Sequence, residues 1–93
     1  MHPGKLLRED FLEPMGLSAT QLAHDIGMPK GAILEIVRGR APIDANLALR
    51  LACYFRTTPQ FWAQLQASYD LDRVARRDGA RIRREVRPWH KMA

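Results

Sequence analysis

Residues 18–40, SATQLAHDIGMPKGAILEIVRGR, carry two short helical patterns separated by a tight turn at Gly27, with a basic loop after the second. Ser18 opens the first pattern as an N-cap, and Gln21, three residues on, completes a Ser-x-x-Gln capping box. Leu22, Ala23 and Ile26 form its inner face, and Gly27 closes it with positive φ. Pro29, a favoured first-turn residue, starts the second helix. Ile33, Ile36 and Val37 fall at i, i+3 and i+4, which buries one face. Gly39 stops the helix. Together these are the sequence form of a helix-turn-helix, the unit that sets a helix in the DNA major groove.

A reading helix needs a buried rear face, small residues at its start, and polar or small side chains aimed outward. The second helix meets all three conditions. Its first turn, Pro29, Lys30 and Gly31, projects toward the groove. Lys30 can donate to guanine O6 or N7, or merely to a phosphate. Gly31 and Ala32 permit close backbone approach. Leu34 can meet a thymine methyl, and Glu35 either accepts from cytosine N4 or is simply solvated. Arg38 and Arg40 flank Gly39 and suit phosphates better than bases. The amides behind Ser18 and Ala19 can also face a phosphate.

Working outward, a first helix spans about Gly4 to Leu12, with Leu6, Leu7 and Phe11 on one side, and Pro14 and Gly16 end it. A fourth opens at Asp44 and reaches Phe55, with Leu47, Ala48, Leu51, Ala52 and Phe55 inward. Thr58-Pro59 starts a fifth by cap-plus-proline logic. Phe61, Trp62, Leu65 and Tyr69 follow at helical spacing. Spacing alone does not say which of these rings face the core. Because the chain is short, some are expected at a dimer or partner interface. The expected fold is all-α, five helices around the helix-turn-helix.

After Leu71 the apolar periodicity weakens. DRVARRD extends the fifth helix by about two turns, Gly79 breaks it, and ARIRREVRPW alternates as a short strand or a disordered arm. The charge divides at the same place. Residues 1–71 hold 7 basic and 7 acidic side chains, whereas residues 72–93 hold 8 basic and 3 acidic, so the tail carries the whole excess of +5. The expected organisation is therefore a helix-turn-helix domain over 1–71 and a basic extension over 72–93. A basic excess favours polyanions without choosing among DNA, RNA and an acidic protein.

Composition limits the other classes. Apolar content of 46% and charged content of 27% are ordinary for a globular protein. No stretch approaches the roughly 20 apolar residues that cross a bilayer, and MHPGKLLRED has no signal core. The expected location is cytoplasmic. Cys53 is expected as a small buried residue of the run LALRLACYF. His2, His24 and His90 have no helical mate and no cysteine neighbour, so no metal is expected. No catalytic constellation can be assembled; neither an enzyme, a cofactor nor a small-molecule substrate is expected.

The residues just read resemble the HigA family of antitoxins, a branch of the Xre (phage-repressor-like, lambda-repressor-like) helix-turn-helix class. The resemblance covers about residues 2–71. It rests on HPGKLLREDFLEPMGLS, then LAHDIG, then AILEIVRGRAPI, and then LALRLACYFRTTPQFWAQLQASYDL. The HPG opening and the F-W-x-x-L-Q-x-x-Y-D-L ending are its specific parts. It implies a type II antitoxin: a homodimer that represses its own operon through operator DNA and binds a HigB-like toxin, a small basic ribonuclease of the RelE type. It also implies base reading at Pro29, Lys30, Gly31 and Leu34 or Glu35, with Arg38 and Arg40 near phosphates. Pro29 stands where relatives usually carry Ser or Thr, so a hydroxyl contact there is absent. In a dimer the two reading helices would lie about 34 Å apart, one DNA turn. A basic toxin would want acidic contacts such as Glu9, Asp10, Glu13 and Asp25. The alternative is a solitary Xre-type repressor without a toxin, and a neighbouring reading frame for a small basic protein separates the two.

Overall fold

The computed structural model describes residues 1–90, and all regular structure among them is helical. Five helices follow one another. Helix α1 is continuous over residues 3–15, in an α stretch Pro3–Leu6, a wider π-type stretch Leu7–Leu12 and a last α turn Glu13–Met15. Then come α2 (Ala19–Ile26), α3 (Lys30–Val37), α4 (Ala45–Phe55) and α5 (Pro59–Glu85).

Helix α1 outruns its expected end and carries Pro14 inside it. The wide turn explains this. Glu13 N bonds Arg8 O, five residues back, so the backbone is already expanded where the proline ring would meet the preceding turn. Gly16, at φ 62°, then ends the helix, and Leu17 N bonds back to Leu12 O at 2.9 Å.

The caps behave largely as their residue types dictate. Ser18, Asp44 and Thr58 each accept from the amide three residues on, at 3.0, 2.8 and 3.1 Å. The reciprocal half of the Ser18 box does not form: the Gln21 amide donates instead to Asp25 Oδ1 at 2.6 Å. Pro29 is not the first helical residue but the N-cap of α3, extended at ψ 140° with no capping side chain.

The core joins Leu7 and Leu12 of α1, Leu22, Ala23 and Ile26 of α2, Ile33 and Ile36 of α3, Leu47, Ala48, Leu51 and Ala52 of α4, and Trp62 of α5. Val37 and Phe55, expected inward, are only half-buried at its edge. Cys53 is exposed rather than buried. The inward stripe of α4 is 47, 48, 51 and 52, and position 53 turns away from it by the helical period.

Helix α5 crosses residue 71 unbroken and passes through Gly79, so the expected break and the strand-like segment are both corrected. One interior glycine costs about 1 kcal/mol relative to alanine. Against this stand good helix formers and the pairs Asp72–Arg76 at 3.2 Å, Asp78–Arg81 at 3.4 Å and Arg81–Glu85 at 3.4 Å. A lone strand there would have left its amides unpaired. The helix stops before Pro88, which disfavours helical geometry at Arg87. Val86 is extended, residues 86–90 are exposed and without regular structure, and Lys91 lies outside the described residues. Because α5 projects past the body, the radius of gyration is 17.1 Å, against about 12 Å for a compact chain of this length.

Gln66 is the buried polar residue of the core. Its Oε1 accepts from Ile43 N at 2.8 Å and its Nε2 donates to Asp70 at 3.0 Å, tying the loop before α4 to α5. Gln66→Leu should cost about 1–3 kcal/mol, because it strands the Ile43 amide. Urea unfolding measures this, and an unchanged midpoint would contradict it.

Candidate nucleic-acid interface

The turn between α2 and α3 is built from both sides. Gly27 adopts φ 72°, and Met28 N reaches back to Ala23 O at 2.9 Å. From α4, Arg50 Nη1 donates to Ile26 O at 2.7 Å while its Nε donates to Asn46 at 2.7 Å. This guanidinium holds the last carbonyl of α2, and a Cβ on Gly27 would sit 3.2 Å from it. On sequence, Arg50 reads as an ordinary surface charge. An i, i+4 Asn46–Arg50 pair aligned on the turn is the only signal that could have found it.

Helix α3 lies with Ile33 and Ile36 buried and its opposite side open. Pro29, Lys30 and Gly31 are exposed at its start. With no capping side chain at Pro29, the amides of Lys30 and Gly31 face outward without a helical partner. They make the end of the helix electropositive beside the Lys30 ammonium. A Cβ added at Gly31 would meet no other part of the protein within 4 Å. Leu34 and Glu35 are half-buried on the flank, and Arg38, Gly39 and Arg40 are exposed at the far end. Glu35 and Arg38 pair at 3.8 Å, a solvated contact of little worth. Lys30 and Arg40 enter no ion pair among the described residues, so their charge is unneutralised.

Ser18 is exposed on the neighbouring α2 N-terminus. It shares a shallow cleft with Ala19, Val37 and Arg8. Sequence reading overlooked Arg8, which lies in an otherwise amphipathic helix and pairs there with Glu9 at 3.7 Å and Glu13 at 3.8 Å. Ser18, Pro29, Lys30, Gly31, Leu34, Glu35, Arg38 and Arg40 therefore divide between the two ends and the flank of α3 and the start of α2.

The aromatic set on α5 separates. Trp62 is 0% exposed, so it does not belong to a dimer or partner surface. Its ring packs on Phe11, Phe61 and Phe55 at 5.0, 5.0 and 6.1 Å, and its indole N–H donates to Thr57 Oγ1 at 2.8 Å. Phe61 stays at the surface, while Leu65 and Tyr69 are half-buried. Tyr69 stands between the His2 ring, 4.9 Å away edge to face, and the Arg73 guanidinium, 5.5 Å from its centroid.

Of the acidic groups, Glu9 and Glu13 share basic partners on α1. The Tyr54 hydroxyl, donating at 2.7 Å, and then the Gln21 amide hold the Asp25 carboxyl below its ordinary range; the same contact raises the Tyr54 phenol. This α2–α4 tie is present above the usual carboxylate pKa and fades as pH falls through the lowered one. No helix among the described residues is long and apolar enough to cross a membrane.

Comparison with known proteins finds the same fold. The helix-turn-helix family matches residues 7–62. Virulence-associated protein I of Dichelobacter nodosus is 48% identical over 71 residues, which cover 76% of this chain and 66% of that one. The chain thus spans about two thirds of this relative's length. Among solved structures, the Pseudomonas aeruginosa antitoxin HigA with the higBA promoter superposes with a TM-score of 0.93 at 36% identity, covering 97% of this chain and 98% of that one. The antitoxin GraA in complex with its operator gives 0.93 at 37% identity, covering 98% and 92%.

Proposed function

Since the chain belongs to the helix-turn-helix family, in its HigA antitoxin branch, we propose that it is a sequence-specific transcriptional autorepressor and type II antitoxin, a homodimer that binds operator DNA and neutralises a HigB-like toxin. One observation carries the DNA half of this reading. Helix α3 is locked from behind by Ile33, Ile36 and the Arg50-braced turn, while its open end offers free amides, Lys30 and an unobstructed Gly31. A duplex presents phosphates and base edges that match those groups. Pro29, Lys30, Gly31, Leu34 and Glu35 meet bases. Arg38, Arg40 and the amides behind Ser18 meet phosphates. A two-fold dimer would read a palindromic operator.

The toxin half draws on the family and on neighbours that are themselves antitoxins. The protein has no catalytic role of its own here and works in the cytoplasm. Residues 1–71 are the reading domain, and residues 72–93 are a basic extension. Phe61, Leu65 and Tyr69 remain the candidates for the dimer or toxin surface.

The first test is an anisotropy titration against DNA from the protein's own promoter at two salt concentrations, with an unrelated duplex as control. Tight binding to the promoter alone is expected. Equal, salt-sensitive binding to both duplexes would sink operator recognition. Lys30→Ala should relax preference at one base position by roughly 1–3 kcal/mol, while Arg38→Ala should weaken all sequences and flatten the salt slope by about one unit. Identical profiles for the two would contradict these roles. Gly31→Ala separates folding from reading. It should stabilise α3 by about 0.5–1 kcal/mol, since alanine is the better helix former, yet weaken promoter binding by blocking backbone approach. A gain in both would show that DNA does not come close there.

A further inference from the structure

Operator reading leaves the His2-Pro3-Gly4 opening unused, although it lies directly under the reading helix. Pro3 and Gly4 are buried, and a Cβ on Gly4 would sit 1.8 Å from the Ile36 carbonyl oxygen in the last turn of α3. His2 caps α1, its Nδ1 accepting from Gly4 N at 2.9 Å. The same ring comes within 3.7–4.0 Å of where a Cβ on Gly39 would stand. It also rests edge-on against Tyr69. His2 thus touches α1, α5 and the loop that leaves α3, and that loop carries Arg40. Gln66 holds the far end of the loop through Ile43.

We propose that neutral His2 is a positioning residue for DNA binding, a clamp that fixes the Gly39–Ala41 loop and so aims Arg40 at a phosphate. The inference rests on the operator-reading function above. Neutrality matters because Nδ1 needs its lone pair for Gly4 N. A second proton would set N–H against N–H at a helix start, where the amide dipoles already disfavour positive charge.

The groups facing the ring are the Met1 ammonium, Arg40 from the loop, and Tyr69, Asp70 and Arg73 from α5. Burial is the main influence and lowers the His2 pKa from 6.5. The Ala41 backbone and Asp70 pull it up, and Arg73 and the N-terminus push it down. Since the clamped state holds fewer protons than the released one in the window below 6.5, the clamp weakens as pH falls through that window. Phosphate contacts alone behave oppositely, because acid adds positive charge to the protein. The sign is therefore diagnostic.

The experiment uses the full chain, tagged at its C-terminus, with two readouts. In the free protein, the Gly39, Arg40 and Ala41 amide resonances are followed from about pH 7.5 to 5.5, across the histidine range. They should move with the midpoint of the His2 ring, and stay still in His2→Asn, which can cap but cannot titrate. In anisotropy with promoter DNA, wild type should lose roughly fivefold in affinity over that range, the size of one lost cap. His2→Asn, which keeps the cap but lacks the ring, should bind equally at both ends and no tighter than wild type at pH 7.5, and His2→Ala should be weakened throughout. Amides indifferent to the His2 titration, or superimposable pH profiles for wild type and His2→Asn, would overturn the clamp. If wild type does not prefer its promoter over the unrelated duplex, operator reading has failed. The amide titration then decides the clamp alone: shared midpoints support it and static amides overturn it.

Discussion

Gly4→Ala should lower the melting temperature by roughly 10–20 °C, corresponding to about 3 kcal/mol for a domain of this size. Local reasoning predicts the opposite sign. Gly4 sits inside a helix with ordinary φ, where alanine gains about 1 kcal/mol in propensity. The tertiary contact reverses this. The new Cβ would stand 1.8 Å from Ile36 O and 2.7 Å from Ile36 C, and both are backbone atoms of a packed helix. No side-chain rotation relieves the overlap, so α1 must move away from α3. That motion uncovers Pro3 and Leu7, both fully buried. Promoter binding should fall with it, because the same shift disturbs the end of α3 from which Arg38 and Arg40 leave. Thermal unfolding followed by far-UV circular dichroism checks the claim. A melting temperature at or above wild type would mean that α1 and α3 do not approach so closely.

Trp62→Ala should cost about 3–5 kcal/mol, the range for deleting a large buried ring. For a domain whose total stability is on the order of 5–15 kcal/mol, that approaches unfolding at 37 °C. Three aromatic neighbours, Phe11, Phe55 and Phe61, would face the vacated space, and Thr57 Oγ1 would lose its indole partner. Trp62→Phe keeps most of the apolar volume and loses the hydrogen bond, so it should retain well over half of the stability that alanine removes. Phe61→Ala, at a ring that is 36% exposed, should cost much less. Equal midpoints for Trp62→Ala and Phe61→Ala in urea would refute the buried placement of Trp62.

The helix-turn-helix and the five-helix order are legible in the chain because the signals are local. Ser18, Asp44 and Thr58 cap where an oxygen three residues before an amide can cap, and Gly27 takes the conformation that other residues resist. Apolar spacing alone picks out Leu22, Ala23, Ile26, Ile33, Ile36, Leu47, Ala48, Leu51 and Ala52, all of which are buried. These are one-dimensional rules, satisfied within a turn or two of helix.

Side-chain fate across helices follows no such rule. The rings at 61, 62, 65 and 69 obey one helical period, yet only the packing of α1 and α4 against α5 takes Trp62 inside and leaves Phe61 at the edge. Gly79 and the alternation after it look like an ending, but good helix formers on both sides, helped by ion pairs a turn apart, continue α5 to Glu85. Arg50 reads as a solvated charge until the fold brings Ile26 O to it across 24 positions. Likewise the sequence places Gly4 at the start of the first helix, but only the fold shows that its missing Cβ leaves room for the Ile36 carbonyl of α3. Contacts of that separation depend on where whole helices dock, and docking is decided by the summed shape of the core rather than by any local run of residues.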